Sequence, residues 1–247
     1  MRYAVRLAYK GTPFSGWQSQ KNAYTVQETI EKSMSLKYGQ NISITGCCRT
    51  DKGVHAYDSL FHFDLEKDPI KNFTYSLNKM LPKEIVLKDI QQVSTGFHAR
   101  FDAVSRSYIY KIHTFKDPFK DSLSFYYPLT LKADFNKMQE VANLLMQYEE
   151  FFPFCKTHTD VKTMKCALNV CTWIKNDNGD FEFHIKSNRF LRGMVRMIVG
   201  VCINAGLNKI SIEEIKDSMN NQRRLKTDWS VPAHGLYLNN VKYLTLD

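Results

Sequence analysis

The sequence predicts an α+β protein of two fused halves that share one continuous, mainly antiparallel sheet, with helices on one face and a basic cleft between the halves. Three observations predict it. Strand-like and helix-like periodicities over the first hundred residues run strand, helix, strand, strand, helix, strand. From Ser105 the same order restarts with insertions, and no Pro-, Gly- or Ser-rich linker separates the two stretches. The boundary is placed between residues 103 and 104, giving halves of 1–103 and 104–247. A chain of 247 residues is long enough to bury a sizeable core in such an arrangement.

Each element has its own reason. Tyr3, Val5, Leu7 and Tyr9 alternate with Arg2, Ala4, Arg6 and Ala8, the period of a half-buried strand. Thr25-Val26-Gln27-Glu28 has capping-box spacing, Val26, Ile30 and Met34 repeat every fourth residue, and Gly39 ends that helix. Ile42–Gly46 and Leu60–Leu65 read as strands. Asp68-Pro69 is expected to cap a helix carrying Ile70, Phe73, Leu77, Met80 and Leu81, stopped by Pro82, and a strand follows over Ile85–Val93. This is the split βαβ, ferredoxin-like order. In the second half, Arg106, Tyr108, Tyr110 and Ile112 share one strand face. Asp134 or Asn136 starts a helix, and Leu168–Lys175 and Phe181–Ser187 flank the turn Asn176-Asp177-Asn178-Gly179. A helix from about Phe190 to Asn204, a capping box at Ser211 and a closing strand over Gly235–Leu246 complete the pattern.

Charge narrows the class of partner. Lys and Arg number 34 against 25 acidic residues, a formal net charge of +9, which points to a polyanion such as nucleic acid or an anionic membrane surface. No apolar run approaches the roughly 20 residues of a membrane span. Met1-Arg2-Tyr3-Ala4-Val5-Arg6 lacks the features of a secretory leader. The six cysteines are dispersed and form no CxxC pair, so they read as reduced thiols of a cytoplasmic protein. Cys166, Cys171 and His158 fit no common zinc spacing, and no metal site is expected.

Two segments stand out chemically. Gly46-Cys47-Cys48-Arg49-Thr50-Asp51-Lys52-Gly53-Val54-His55-Ala56 places a cation, a carboxylate and a glycine in one turn between strands. By itself that turn is open to a structural ion-pair reading as well as a chemical one. Lys186 to Arg196 carries four basic residues and no acidic one, with Arg189, Arg192 and Arg196 at i, i+3 and i+7 of the predicted helix. Arginines without interspersed acids suit phosphate contacts. Tyr108 and Tyr110 beside Arg106 fit either base stacking or ordinary sheet packing.

These residues resemble the tRNA pseudouridine synthase A family nearly end to end. The motifs that carry the resemblance are Ala8 to Gln18, Thr25-Val26-Gln27, Arg49 to Ala56, Phe97-His98-Ala99-Arg100-Phe101, Arg106 to Tyr110, Phe190 to Gly200, and Pro232 to Leu236. The resemblance implies isomerisation of uridine to pseudouridine in the anticodon stem-loop of tRNA, with no metal or organic cofactor. It implies a homodimer with RNA lying across both subunits. Asp51 matches the catalytic aspartate, Tyr108 the tyrosine that stacks on the target base, Arg196 the cation that pairs with the aspartate, and Arg49 the arginine that helps extrude the nucleotide. Lys52 stands where alanine is common and adds a cation able to touch RNA. Arg189 and Arg192 are expected to bind RNA, and Gly46-Cys47-Cys48 replaces a frequent Gly-Ala-Gly. His55, His98 and Trp17 are expected to be structural. The alternatives are the same chemistry on ribosomal or another structured RNA, and an RNA-binding protein without turnover.

Overall fold

The computed structural model describes residues 1–156 and 163–246. The chain forms β1 (Arg2–Tyr9), α1 (Val26–Tyr38), β2 (Thr45–Gly46), β3 (His55–Asp64), α2 (Phe73–Asn78), β4 (Ile85–Val93), β5 (Ala103–His113), β6 (Phe125–Tyr126), α3 (Phe135–Leu145), β7 (Leu168–Lys175), β8 (Phe181–Ser187), α4 (Met194–Gly206), α5 (Ile212–Asn220) and β9 (Leu236–Tyr243). The fold is α+β and its strand pairs are mostly antiparallel. Two compact units result: Met1–Val104 with Tyr237–Asp247, and Ser105–Leu236. His158 lies outside the described residues; Cys166 and Cys171 are both buried free thiols.

In the first unit β1 is the middle strand, antiparallel to β4 on one side and β3 on the other. The far edge of β3 pairs with β2 through Phe61 and His62, and with β9, in parallel, through His55 and Ala56. The predicted inward residues of β1 are buried, as are Val26, Ile30 and Met34 of α1. Thr25 caps α1 by accepting the Glu28 N–H at 3.3 Å, and Gly39 closes it in the left-handed region at φ 64. Phe63 of β3 stacks on Phe73 of α2 with ring centroids 5.7 Å apart.

Two expectations in this unit are corrected. The strand expected over Ile42–Gly46 shrinks to Thr45–Gly46. Helix side chains have taken its ladder donors: Ile42 N–H donates to Ser35 Oγ and Ile44 N–H to Glu31 Oε1, both at 2.9 Å. Asp68 does not cap α2, which starts only after Asn72 at φ 54. The Asp68 carboxylate accepts instead from the Tyr3 hydroxyl at 3.2 Å, and the Ile70 N–H donates to Tyr38 Oη at 3.3 Å.

In the second unit β8 lies antiparallel between β5 and β7, and the end of β5 pairs in parallel with β6. Helix α3, capped by Asp134 Oδ1 accepting from the Asn136 N–H at 2.9 Å, packs on β7 and α4. Helix α4 is buried on nearly all sides. Every residue of Met194–Gly206 is buried except Arg196 and Asn204. The predicted start at Phe190 is also corrected. Gly193, at φ 75, is the N-cap, so Arg189 and Arg192 sit on the turn before α4 and share no helix with Arg196. A side chain at Gly193 would bring its Cβ within 2.8 Å of Lys156 Cγ. The Lys156 N–H donates to the Arg192 carbonyl at 3.0 Å, fixing that turn.

Candidate active site

The turn carrying Arg49, Thr50, Asp51, Lys52 and Gly53 is gripped by the loop that follows β1. The Asp51 carbonyl accepts from the Val54 N–H at 3.1 Å, with Gly53 supplying the positive φ of 82 that closes the turn. The Thr50 hydroxyl, buried, meets the Tyr9 phenol at 2.9 Å, and the Thr50 carbonyl accepts from the Trp17 N–H at 3.1 Å. Gly16 passes so close that a Cβ there would stand 2.6 Å from the Thr50 carbonyl oxygen. Gly11 is tighter still: a Cβ there would overlap the Val54 carbonyl oxygen. Backbone is thus pressed against backbone on both sides of Asp51. This explains the glycines of the Ala8–Gln18 motif without reference to substrate.

Trp17 is 2% exposed, and its indole lies where a Cβ on Gly46 would be 2.4 Å away. It is a packing anchor. Cys47 is buried, with Sγ 3.4 Å from Ser59 Oγ and accepting the Leu60 N–H at 3.4 Å. Burial pushes its thiol well above the usual cysteine range. His55 is buried, its Nδ1 accepting from the Gly11 N–H at 3.1 Å and its ring stacked on Tyr237 at 4.6 Å. It holds the base of the turn. Of the turn's charged groups, Asp51 is half-buried, while Arg49 and Lys52 are exposed. The first unit therefore brings Asp51, Arg49 and Lys52 together on one pinned turn.

The second unit holds the other predicted residues. Tyr108 on β5 is half-buried, and Phe190 meets its ring edge-on at 5.2 Å. Arg106, two residues earlier, donates from Nη1 to the Asn188 carbonyl at 3.0 Å. The turn bearing half-buried Arg189 and exposed Arg192 therefore lies beside this strand. Arg196 donates from Nε to the Val231 carbonyl at 2.6 Å, and the next carbonyl, that of Pro232, accepts from the Tyr110 hydroxyl at 2.8 Å. Gly200 and Gly235 let this segment approach: a Cβ on the first would meet the Trp229 carbonyl oxygen, and on the second the Tyr110 ring at 2.6 Å. Asp228 is held below the usual carboxylate range by hydrogen bonds from Ser230, with Lys156 and Arg196 adding to the effect. The Val231 carbonyl, just before the Pro232–Leu236 motif, thus orients the guanidinium of Arg196.

A family model described as tRNA pseudouridine synthase matches residues 6–102 and 149–244. The chain belongs to the tRNA pseudouridine synthase family. Among its relatives, "tRNA pseudouridine synthase A" of Porphyromonas gingivalis is 42% identical over 246 residues, covering 98% of this chain and 97% of that protein. The Bacteroides fragilis protein of the same name is 38% identical, over 98% of this chain and 96% of its own length. The Staphylococcus aureus (strain JH1) protein is 33% identical, over 98% and 90%.

Sequence reasoning missed how the synthase residues are supported. Neither the Tyr9–Thr50 pair nor the Val231 carbonyl under Arg196 carries a spacing signal, because both join segments distant in the chain. The one available signal was the glycines, at Gly11, Gly16, Gly200 and Gly235, which mark close backbone approach.

Proposed function

We infer that this chain isomerises uridine to pseudouridine in tRNA and that Asp51 is its catalytic carboxylate. The observation that carries the reading is family membership across nearly the whole chain, over residues that include the Asp51 turn. The reaction breaks the N1–C1′ bond, turns the base, rejoins it through C5, releases the C5 proton and protonates N1. It is balanced without redox or hydrolysis. A carboxylate serves it as nucleophile or as base at the sugar, and the grip of Gly11, Gly16 and Tyr9 on the turn favours a fixed position for that group.

Extruding the target base costs a few kcal/mol of stacking. In this reading Tyr108 stacks on the extruded base and returns roughly 1–3 kcal/mol. Arg196 is a cation of the RNA-binding site, Arg49 assists extrusion, and Lys52, Arg189 and Arg192 contact phosphates. The target is the anticodon stem-loop, and the working form is a cytoplasmic homodimer. The architecture that accompanies this reading is two ferredoxin-like halves divided near residue 103, with a basic cleft. The antiparallel run of β4, β1, β3 and β2 in the first unit supports it. Among the described residues no helix is long and apolar enough to cross a membrane.

The test is tritium release from C5-labelled uridine in tRNA and ribosomal RNA transcripts side by side. The expected result is release from tRNA by the wild-type chain and none by Asp51→Ala, which still binds tRNA. Release by Asp51→Ala at the wild-type rate removes Asp51 from the mechanism. Release from ribosomal RNA alone replaces the substrate.

A further inference from the structure

Away from the Asp51 turn, Phe101 is the most exposed ring of the first unit among the described residues. Phe101 is 73% exposed, whereas Phe97, four residues earlier, is 3% exposed and packs on Tyr243 at 5.3 Å between centroids. The segment that carries Phe101 is fixed from several directions. The Ala99 N–H donates to Nδ1 of buried His62 at 3.1 Å, and the Ala99 carbonyl accepts from the Tyr243 hydroxyl at 2.6 Å. Arg2 Nη1 donates to the Phe97 carbonyl at 2.8 Å. Asp102 Oδ2 accepts from the His98 N–H at 2.8 Å, and the Phe101 and Asp102 N–H groups close on the His98 carbonyl at 3.1 and 3.0 Å. The His98 ring lies 4.2 Å from the Phe101 ring, and the Arg100 guanidinium lies 5.7 Å from it.

An apolar ring held in water on a rigid turn, with a guanidinium beside it, suits one kind of ligand. A nucleobase stacks on the ring without the cost of ordering the turn, and the cation meets the adjoining phosphate. The chain's formal charge of +9 favours the same polyanion. We propose that Phe101, flanked by His98 and Arg100, is a stacking platform for an unpaired nucleotide of the RNA, separate from the base-stacking role given to Tyr108. The proposal rests on the reading of the chain as a synthase acting on tRNA.

The experiment measures the Kd of the full chain for an unmodified tRNA transcript at fixed salt. It compares wild type with Phe101→Leu, Phe101→Trp and Phe119→Leu. Phe119, 88% exposed in the second unit, is the reference for losing an exposed phenyl ring. Phe101→Leu keeps apolar volume but loses the π face, and it weakens binding by about 10-fold, while Phe101→Trp restores it. Phe119→Leu stays within about twofold of wild type, and the thermal midpoint of Phe101→Leu does not move. Unchanged binding by Phe101→Leu, equal losses in Phe101→Leu and Phe119→Leu, or no recovery in Phe101→Trp each overturns the platform. Tritium release by the wild-type chain is read in parallel: turnover with unchanged Phe101→Leu binding removes the platform alone, and no wild-type turnover removes the reading beneath it.

Discussion

The Tyr9 phenol and the Thr50 hydroxyl meet at 2.9 Å in the interior of the first unit, joining β1 to the turn that carries Asp51. Burial raises the Tyr9 phenol far above its ordinary pKa, so it stays neutral and available to hydrogen-bond throughout the working pH range. Tyr9→Phe keeps the ring packed near Trp17 but leaves the Thr50 hydroxyl without this partner. The expected cost is about 1–2 kcal/mol in urea unfolding, with turnover falling more than tRNA affinity. A kcat equal to wild type separates this pair from catalysis.

Gly16 and Gly39 both have positive φ, but their surroundings differ. An added Cβ meets nothing within 4 Å at Gly39, and meets the Thr50 carbonyl oxygen at 2.6 Å at Gly16. Gly39→Ala is expected to cost about 1 kcal/mol, from backbone conformation alone. Gly16→Ala adds a backbone collision and costs about 3 kcal/mol or more, with loss of activity. Denaturant midpoints of the two variants check this directly, and equal costs contradict the close approach.

His62 gives the first unit a pH dependence. Burial, with Arg2 and His98 nearby, depresses its imidazole from 6.5 to about 4, against the weaker pull of Asp64 and Asp102. The unfolded chain therefore binds more protons than the folded one between those values. Stability contributed by neutral His62 is complete above pH 6.5 and is lost as pH falls towards 4. Protonation at Nδ1 also removes the acceptor of the Ala99 N–H. His62→Gln retains an acceptor without titrating, so its unfolding midpoint is expected to fall less steeply over that window.

Tyr108 separates ring from hydroxyl. Tyr108→Phe keeps the ring face proposed to stack and the edge contact to Phe190. Tyr108→Leu is expected to lose about 10-fold or more in kcat/KM relative to Tyr108→Phe. Equal losses shift the role to the phenol oxygen.

Arg189 and Arg192 now belong to a turn rather than to α4. Removing both charges is expected to lower the slope of log Kd against log salt by roughly 0.7–0.9 for each phosphate that is no longer neutralised. An unchanged slope places that turn away from the RNA.

These corrections show which features the sequence carries. β4, β7 and β8 have the predicted bounds because alternation and turn residues act locally. Ile42–Ile44 alternates equally well, but Glu31 and Ser35 of α1 take its donors. Arg189, Arg192 and Arg196 have helical spacing, yet Gly193 in the left-handed region separates the first two from the third. The residues proposed for the site come from the resemblance, not from periodicity. The contacts that hold them, Tyr9 on Thr50 and Val231 on Arg196, are tertiary and leave no periodic trace.

Residues 237 to 243 join the first unit although the whole second unit precedes them in the chain. On the ribosome, therefore, β1 to β4 emerge early but wait for β9. Until it arrives, His55 lacks the Tyr237 ring beneath it and Ala99 lacks the Tyr243 hydroxyl. The Asp51 turn and the Phe101 segment thus receive their last supports only when translation has passed both units. A growing chain therefore carries the Asp51 turn before its Tyr237 support exists.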